Sequence, residues 1–145
     1  MADPRLVEAL EGLVVGAVGL TTVALAEFAP AADLTLPQWR ALLVVSRADG
    51  VRVGEVGERV GMALPSASRL VRRLERRGLV TTARDETDRR GTIVRPTAAG
   101  LQLWRSMVGY RRQLIADLLD ALPAPLPADL ANELERVEGA FARYS

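Results

Sequence analysis

The chain has 145 residues, of which 49% are hydrophobic and 26% are charged, a balance typical of one globular domain. It contains no Cys, His or Lys, so all 19 basic residues are Arg. This composition excludes disulfides, Cys/His metal sites, His-dependent nucleophilic catalysis and Schiff-base chemistry. No paired-carboxylate, glycine-rich phosphate or serine-nucleophile motif is found, so we expect neither an enzyme nor a cofactor.

The net charge of +1 hides an uneven distribution along the chain. Residues 40–95 hold 13 Arg and 7 acidic residues, a balance of +6. The remainder holds 6 Arg and 11 acidic residues, a balance of −5. A basic middle between acidic ends indicates a central module that faces a polyanion.

The N-terminal segment is strongly apolar and predicts a long helix. Asp3 and Pro4 suit a helix start, and we expect Pro30 to stop the helix after an apolar stretch that runs to Phe28. The uncharged stretch over 12–26 is shorter than the roughly 20 residues of a membrane span, and the segment before it is too acidic for a signal peptide. We therefore expect a helix buried on most sides within an oligomer, in a cytoplasmic protein.

Two further helices are predicted next. Thr35 or Leu36 begins the first, because Pro37 suits an early helical position, and the Ala-Asp-Gly sequence at 48–50 ends it. Residues 52–60 predict a short helix with several glycines. Each interior glycine costs about 0.5–1 kcal/mol relative to Ala, so tertiary packing must hold this helix in place.

Residues 65–77 predict the clearest helix in the chain, with Gly78 at its end. Its apolar residues fall in one arc, and its basic residues fall on the opposite side. The apolar arc holds Ala67, Leu70, Val71 and Leu74, and the basic side holds Arg69, Arg72, Arg73, Arg76 and Arg77, with Ser66 and Ser68 near the helix start. Such a face is also found on solvated helices whose arginines pair with neighbouring acids such as Glu75.

The region after this helix predicts a hairpin and then two more helices. Residues 79–84 and 92–95 are rich in β-branched residues and flank a charged loop, a pattern typical of two antiparallel strands. Thr97 is the expected N-cap of a long helix, which the prolines at 123–127 end. A final helix is expected over about 128–142, where apolar residues recur at three- and four-residue spacing.

The order helix, short helix, turn, Arg-faced helix and hairpin predicts a winged helix-turn-helix. In this arrangement the second helix of the motif enters the major groove of DNA, and the hairpin reaches toward the adjacent minor groove. Arg binds phosphate and the guanine edge in a bidentate manner, and Ser66 and Ser68 can bond phosphate or base edges. A basic helix followed directly by a hairpin is a more specific signal than either element alone.

The sequence resembles the MarR (multiple antibiotic resistance regulator) family of transcription factors. The resemblance is carried by residues 34–42 (LTLPQWRAL) and 66–80 (SASRLVRRLERRGLV), and most sharply by 84–91 (RDETDRRG) followed by 96–100 (PTAAG). It implies a mainly α fold with a small β-hairpin wing in a single domain. The expected divisions are a winged helix-turn-helix DNA-binding module over 36–97 and dimerisation helices over 4–30 and 98–143.

The family resemblance also implies a function and a set of site residues. It implies a homodimer that binds a pseudo-palindromic site on double-stranded DNA, and we expect a repressor. Arg90 would enter the minor groove with Asp88 ion-paired to orient it, although Asp88 could also be a simple turn acid. The candidate DNA-binding residues are Ser66, Ser68, Arg69, Arg72, Arg73, Arg76, Arg84, Asp88, Arg89 and Arg90.

Regulators of this family often respond to small anionic aromatic molecules bound between the dimer helices and the DNA module. Phe28, Trp39, Arg40 and Trp104 are the candidate ligand-binding residues, because apolar walls with one cation suit such an anion. In a chain with 4% aromatic residues, Trp39 and Trp104 could instead be core side chains, and this more common role is the one that we favour. No metal site is expected.

A second function fits the same fold. A winged-helix module that binds a protein partner, without binding DNA, would share the predicted elements. The complete arginine face and the complete hairpin argue against this alternative. Salt-dependent retention on heparin distinguishes the two, because it measures affinity for a polyanion.

Overall fold

The structure, a computed structural model, describes residues 1–32, 34–86 and 91–141, with the backbone alone for 28–32. Helices dominate the described chain, and three short strands form one sheet. In chain order the elements are α1 (Pro4–Ala32), α2 (Leu36–Ser46), β1 (Val51–Arg52), α3 (Val53–Val60), α4 (Leu64–Arg76), β2 (Val80–Arg84), β3 (Thr92–Pro96), α5 (Ala98–Asp120) and α6 (Leu130–Phe141). The expected fold class, mainly α with a small β-hairpin wing, is confirmed.

The core lies within the winged helix, where α2, α3, α4 and the sheet meet. Its largest fully buried side chains are mostly aliphatic, as the shortage of aromatic residues requires. They are Trp39, Leu42, Leu74, Val45, Val51, Val56, Val71, Val80 and Val94. Because these residues recur at helical spacing on α2 and α4, each helix turns one face inward and leaves the other in water.

The sheet has the order β1-β3-β2 and is antiparallel throughout. Strands β2 and β3 form the expected hairpin, with Arg84 opposite Thr92 at the loop end. Strand β1 was not expected, because Arg52 was assigned to the short helix. Gly50 instead adopts a φ of 111°, and the chain turns so that the buried Val51 pairs with Val94. The helix α3 consequently begins only at Val53.

The first helix differs from its prediction at its C-terminal end. It continues through Pro30 to Ala32, so the expectation that Pro30 stops it is wrong. A proline removes one intrahelical hydrogen bond. Because Pro30 lies only two residues before the end of α1, this loss is small. Within one chain Leu13, Val15 and many other apolar side chains along the helix are exposed, and the predicted burial within an oligomer stays a prediction.

The segment Pro4–Glu27 of α1 is long enough and apolar enough to cross a membrane. The apolar part of the helix is therefore longer than the uncharged stretch over 12–26 indicated. Length and composition do not by themselves indicate a span, because core helices and N-terminal signal sequences share both features. The helix contacts α5 of its own chain, and most of its remaining surface is uncovered there.

The junction between the hairpin and α5 is made by the Thr-x-x-Gly motif. As expected, Thr97 caps α5, and its Oγ1 accepts a hydrogen bond from the Gly100 amide at 3.0 Å. The same hydroxyl donates to the Gly78 carbonyl at 2.6 Å, and the Thr97 amide donates to the Leu79 carbonyl at 3.0 Å. The Cα of Gly100 lies so close to Leu79 that an added Cβ would overlap the Leu79 carbonyl oxygen.

We therefore expect Gly100→Ala to destabilise the protein by about 1–3 kcal/mol, because the hairpin and α5 must move apart. Gly109→Ala, in the same helix with no atom within 4 Å of an added Cβ, is the matched control. It should raise stability by about 0.5–1 kcal/mol through helix propensity. Urea unfolding measures both effects, and equal stability of the two variants would contradict the close approach.

Candidate nucleic-acid interface and ligand groove

Helix α4 presents its arginines to solvent because its other face is buried. Ala67, Leu70, Val71 and Leu74 are buried against the rest of the winged helix, as predicted. The candidate residues on the opposite side, Arg69, Arg72, Arg73 and Arg76, are all exposed, and Ser66 and Ser68 are half-buried. The helix begins with Pro65 in its first turn and has no side-chain N-cap, and the Ser66 amide donates to the Ala63 carbonyl at 2.9 Å.

The arginines of α4 are not neutralised by the acid on the same helix. Glu75 turns toward the hairpin, where its Oε1 accepts from the Thr82 amide at 3.0 Å and from the Thr82 hydroxyl at 2.6 Å. Across residues 1–32, 34–86 and 91–141, Arg72, Arg73 and Arg76 form no ion pair with an acid. The alternative in which Glu75 pairs with this face therefore does not describe the geometry.

The N-terminal end of α2 lies beside the same basic face, a feature that the sequence analysis missed. Thr35 and Gln38 share a recess with Arg73, Arg76 and Arg77. Gln38 is buried, and its Oε1 accepts from the Thr35 amide at 2.9 Å. The Thr-x-x-Gln spacing of a capping box was the available signal. The recess combines guanidinium groups with a helix N-terminus, a combination suited to phosphate.

The base of the hairpin is held by a buried acid. The Asp85 carboxylate accepts from Nη2 of Arg52 at 2.6 Å, and the Asp85 amide donates to the Gly91 carbonyl at 3.0 Å. Arg84 is exposed beside this pair, at the end of β2. Arg52 was missed because it was assigned to a helix rather than to β1. The candidates Asp88, Arg89 and Arg90 lie outside the described residues.

An apolar groove of about 640 Å³ lies between α1, α2 and α6, and Arg111 of α5 reaches it. Trp39 and Arg40 line this groove, as the sequence analysis predicted for a ligand site. Trp39 is only 2% exposed, so it is a core side chain that also forms a groove wall. Trp104 is not part of the lining and packs against the core instead. The side chain of Phe28 lies outside the described part of the chain.

Arg111 is a groove residue that the sequence analysis missed. Its pKa is lowered from the ordinary arginine value, first by burial and then by repulsion from Arg47 and Arg112. Glu138 also lines the groove but forms no ion pair with Arg111. The groove therefore combines apolar walls with a cation whose charged neighbours repel it.

Comparison with known proteins identifies the module. The model of the MarR family matches residues 32–91, which include the helix-turn-helix and the first part of the hairpin. The match covers 60 of the 145 residues, and over this module the chain resembles the MarR family. The resemblance predicted from the sequence motifs is thus confirmed.

Individual transcriptional regulators are similar to part of this chain. The transcriptional repressor IacR of Pseudomonas putida is 33% identical over 82 residues, which are 57% of this chain and 49% of IacR. The match spans about half the length of the curated relatives that rank first.

The fold extends over the whole chain in two solved structures. A MarR family protein from Bacillus stearothermophilus aligns with a TM-score of 0.73 at 24% identity, covering 99% of this chain and 97% of that one. The structure of NadR with 4-hydroxyphenylacetate aligns with a TM-score of 0.72 at 19% identity, covering 100% and 96%. Both likenesses concern the fold.

We expect Arg52→Gln to lower stability by about 1 kcal/mol, because the buried Asp85 carboxylate loses an ionic partner whose side chain is half exposed. Glu55→Gln breaks the exposed Arg59–Glu55 pair of 2.8 Å and is the matched control. Its cost should stay below about 0.5 kcal/mol. Urea unfolding compares the two variants. If the control is destabilised as much as Arg52→Gln, the ion pair with the buried Asp85 contributes no more to stability than an exposed pair does.

Proposed function

We propose that this chain is a dimeric DNA-binding transcriptional regulator of the MarR family. The observation that carries the proposal is the exposed basic face of α4, whose arginines lack acidic partners among the described residues while its opposite face is buried. Arg69, Arg72, Arg73 and Arg76 would contact base edges and phosphates in the major groove, with Ser66 and Ser68 at the helix start. We assign no enzymatic activity and no cofactor.

The hairpin is proposed to contact the adjacent minor groove. Arg84 supplies an exposed cation at the end of β2, and the Arg52–Asp85 pair holds the base of the loop that carries Asp88, Arg89 and Arg90. The sequence resemblance gives Arg90 the role of entering the groove and Asp88 the role of orienting it.

The flanking helices are proposed to form a homodimer. Exposed apolar side chains outside the groove recur along α1 and α5, including Val7, Val15 and Leu118. A second copy that covers these faces would remove them from water, and a two-fold axis would place two α4 helices on a pseudo-palindromic site about 34 Å apart along the duplex. This division keeps 36–97 as the DNA-binding module.

A small organic anion in the groove is the proposed effector. NadR was solved with 4-hydroxyphenylacetate, and the present groove has apolar walls with Arg40 and Arg111 among its lining residues. IacR is named as a repressor, and we propose that this chain is a repressor too. Binding of the ligand would release it from DNA. A regulator of this kind works in the cytoplasm, where α1 is covered by the partner copy rather than by lipid.

The DNA proposal predicts that Arg73→Ala weakens specific binding by roughly 1–3 kcal/mol, and that Arg90→Ala does the same at the minor groove. Neither change should unfold the protein, because Arg73 is exposed on α4 and Arg90 belongs to the sequence between β2 and β3 rather than to either strand. Arg136→Ala is the control, since Arg136 pairs with Glu133 on α6, away from the basic face. Binding to the DNA upstream of the protein's own gene is measured as a function of salt, with random duplex as competitor.

Two results would contradict this assignment. If both arginine variants bound like the wild type, the proposed contact residues would be wrong. If the wild type showed no salt-dependent retention on heparin and no preference for its upstream DNA, the partner-binding winged helix would replace the DNA-binding regulator.

The dimer proposal predicts that Val15→Glu converts the protein from dimer to monomer in sedimentation experiments. Val15 is 66% exposed on the apolar surface of α1, and a buried unpaired carboxylate at an interface is costly. Glu8→Gln, on the same helix, is the control and should sediment as the wild type does. A Val15→Glu protein that sediments as the wild type does would exclude this face of α1 from the interface.

A further inference from the structure

Helix α3 is short and depends on its neighbours for support. It spans only Val53–Val60 and contains Gly54 and Gly57. At Gly57 an ideal Cβ would lie 2.8 Å from the Met62 carbonyl oxygen and 3.1 Å from Cβ of Ala67. Because α3 and the start of α4 are in such close contact, a change in α3 alters the support of α4.

The C-terminal end of α3 is capped from another helix. The Gly57 carbonyl accepts from the Met62 amide at 2.8 Å, a local bond within the turn. The Arg59 carbonyl accepts instead from Nη2 of Arg40 on α2, at 3.0 Å. A guanidinium at this position satisfies a carbonyl that lacks an intrahelical donor and also interacts favourably with the helix dipole.

Arg40 is at the same time a groove residue. It lines the apolar groove together with Arg111, a half-buried cation near Arg47 and Arg112. Glu138 lines the groove too, yet it forms no ion pair with either groove arginine. The charge of the two arginines and the apolar walls match an organic carboxylate with an aliphatic or aromatic body, and the volume of about 640 Å³ is that of a small-ligand site.

We propose that Arg40 is the positioning residue that couples the groove to the DNA-binding face. An organic carboxylate bound between Arg40 and Arg111 draws the Arg40 guanidinium away from the Arg59 carbonyl oxygen, and α3 loses its cap. This inference rests on the proposed function, because it assigns the regulation of the same groove.

The chemistry of the competition favours the ligand. A carboxylate is charged and accepts two parallel hydrogen bonds from a guanidinium, whereas the Arg59 carbonyl is neutral and accepts one here. Loss of the cap weakens α3 and hence the platform of α4. The effect on DNA affinity should fall within about 5- to 150-fold, the usual range of coupling between two sites, and DNA should weaken carboxylate binding by the same factor.

The test uses variants that separate the two contacts of Arg40. Arg40→Gln removes the charge, Arg40→Lys retains it, and Arg111→Gln affects the groove without touching α3. Arg105→Gln is the control, because Arg105 is exposed on α5 and does not line the groove. All are made in the full chain, and their far-UV spectra verify folding.

Three readouts are compared for each variant. Amide hydrogen exchange of α3 is measured without DNA, and affinity for the upstream DNA is measured with and without probe. Binding of 4-hydroxyphenylacetate and decanoate is followed by the fluorescence of Trp39 in a Trp104→Phe background. The uncharged 4-hydroxyphenylethanol and decanol test whether the carboxylate is required.

The proposal expects a distinct pattern. Arg40→Gln should show faster exchange in α3, DNA affinity about tenfold lower and no further response to a carboxylate, since the coupling step has already occurred. Arg40→Lys should restore most of the exchange protection. Arg111→Gln should keep the DNA affinity and lose carboxylate binding, and Arg105→Gln should behave as the wild type does.

Several outcomes would overturn it. Weaker DNA binding by Arg40→Gln with unchanged exchange in α3 would mean that Arg40 contacts DNA directly. If neither carboxylate binds, or if the alcohols bind equally well, the groove is not an anion site. If the carboxylates bind only when the dimer dissociates, the second copy occupies the groove in the dimer. If the wild type binds no specific DNA, the proposed function fails, while exchange and probe binding still decide whether Arg40 caps α3 and senses the anion.

Discussion

The burial of one face of α4 is the constraint on which the rest of the structure depends. Leu70, Val71 and Leu74 pack into the core, and this packing orients every arginine on the opposite side of the helix toward water. The arrangement concentrates positive charge, which is unfavourable until an anion is near. The exposed arginines of α4 repel one another. The apolar contacts of α4 with α3 and β2 therefore keep the helix in place against this repulsion.

The acids of the module are placed so that they support the backbone rather than neutralise this surface. Glu75 accepts two hydrogen bonds from Thr82, and the buried Asp85 pairs with Arg52 at the base of the hairpin. The first contact joins α4 to the hairpin, and the second joins β1 to the base of the hairpin loop. The positive charge of the exposed face is retained as a consequence.

Much of the winged helix could be predicted because it depends on local rules. The spacing of Leu70 and Leu74 predicts an amphipathic helix, and the Thr97-x-x-Gly100 motif predicts a helix start. Both predictions are independent of the rest of the protein. The hairpin follows from two β-branched runs around a charged loop. These features arise from contacts between residues close in sequence, which a single sequence displays directly.

Other features depend on pairs of residues far apart in sequence. Arg52 meets Asp85 across 33 positions, and Arg40 meets Arg59 across 19, so neither partner can be read from local spacing. The strand β1 exists only because β3 lies beside it, and Arg111 becomes a groove cation only because α5 packs beside α1. The sequence by itself determined most of the helices and the basic face, because these depend on composition and periodicity, and its motifs determined the family resemblance. The tertiary structure alone decided which charges are paired, buried or shared, because that depends on which distant residues packing brings into contact.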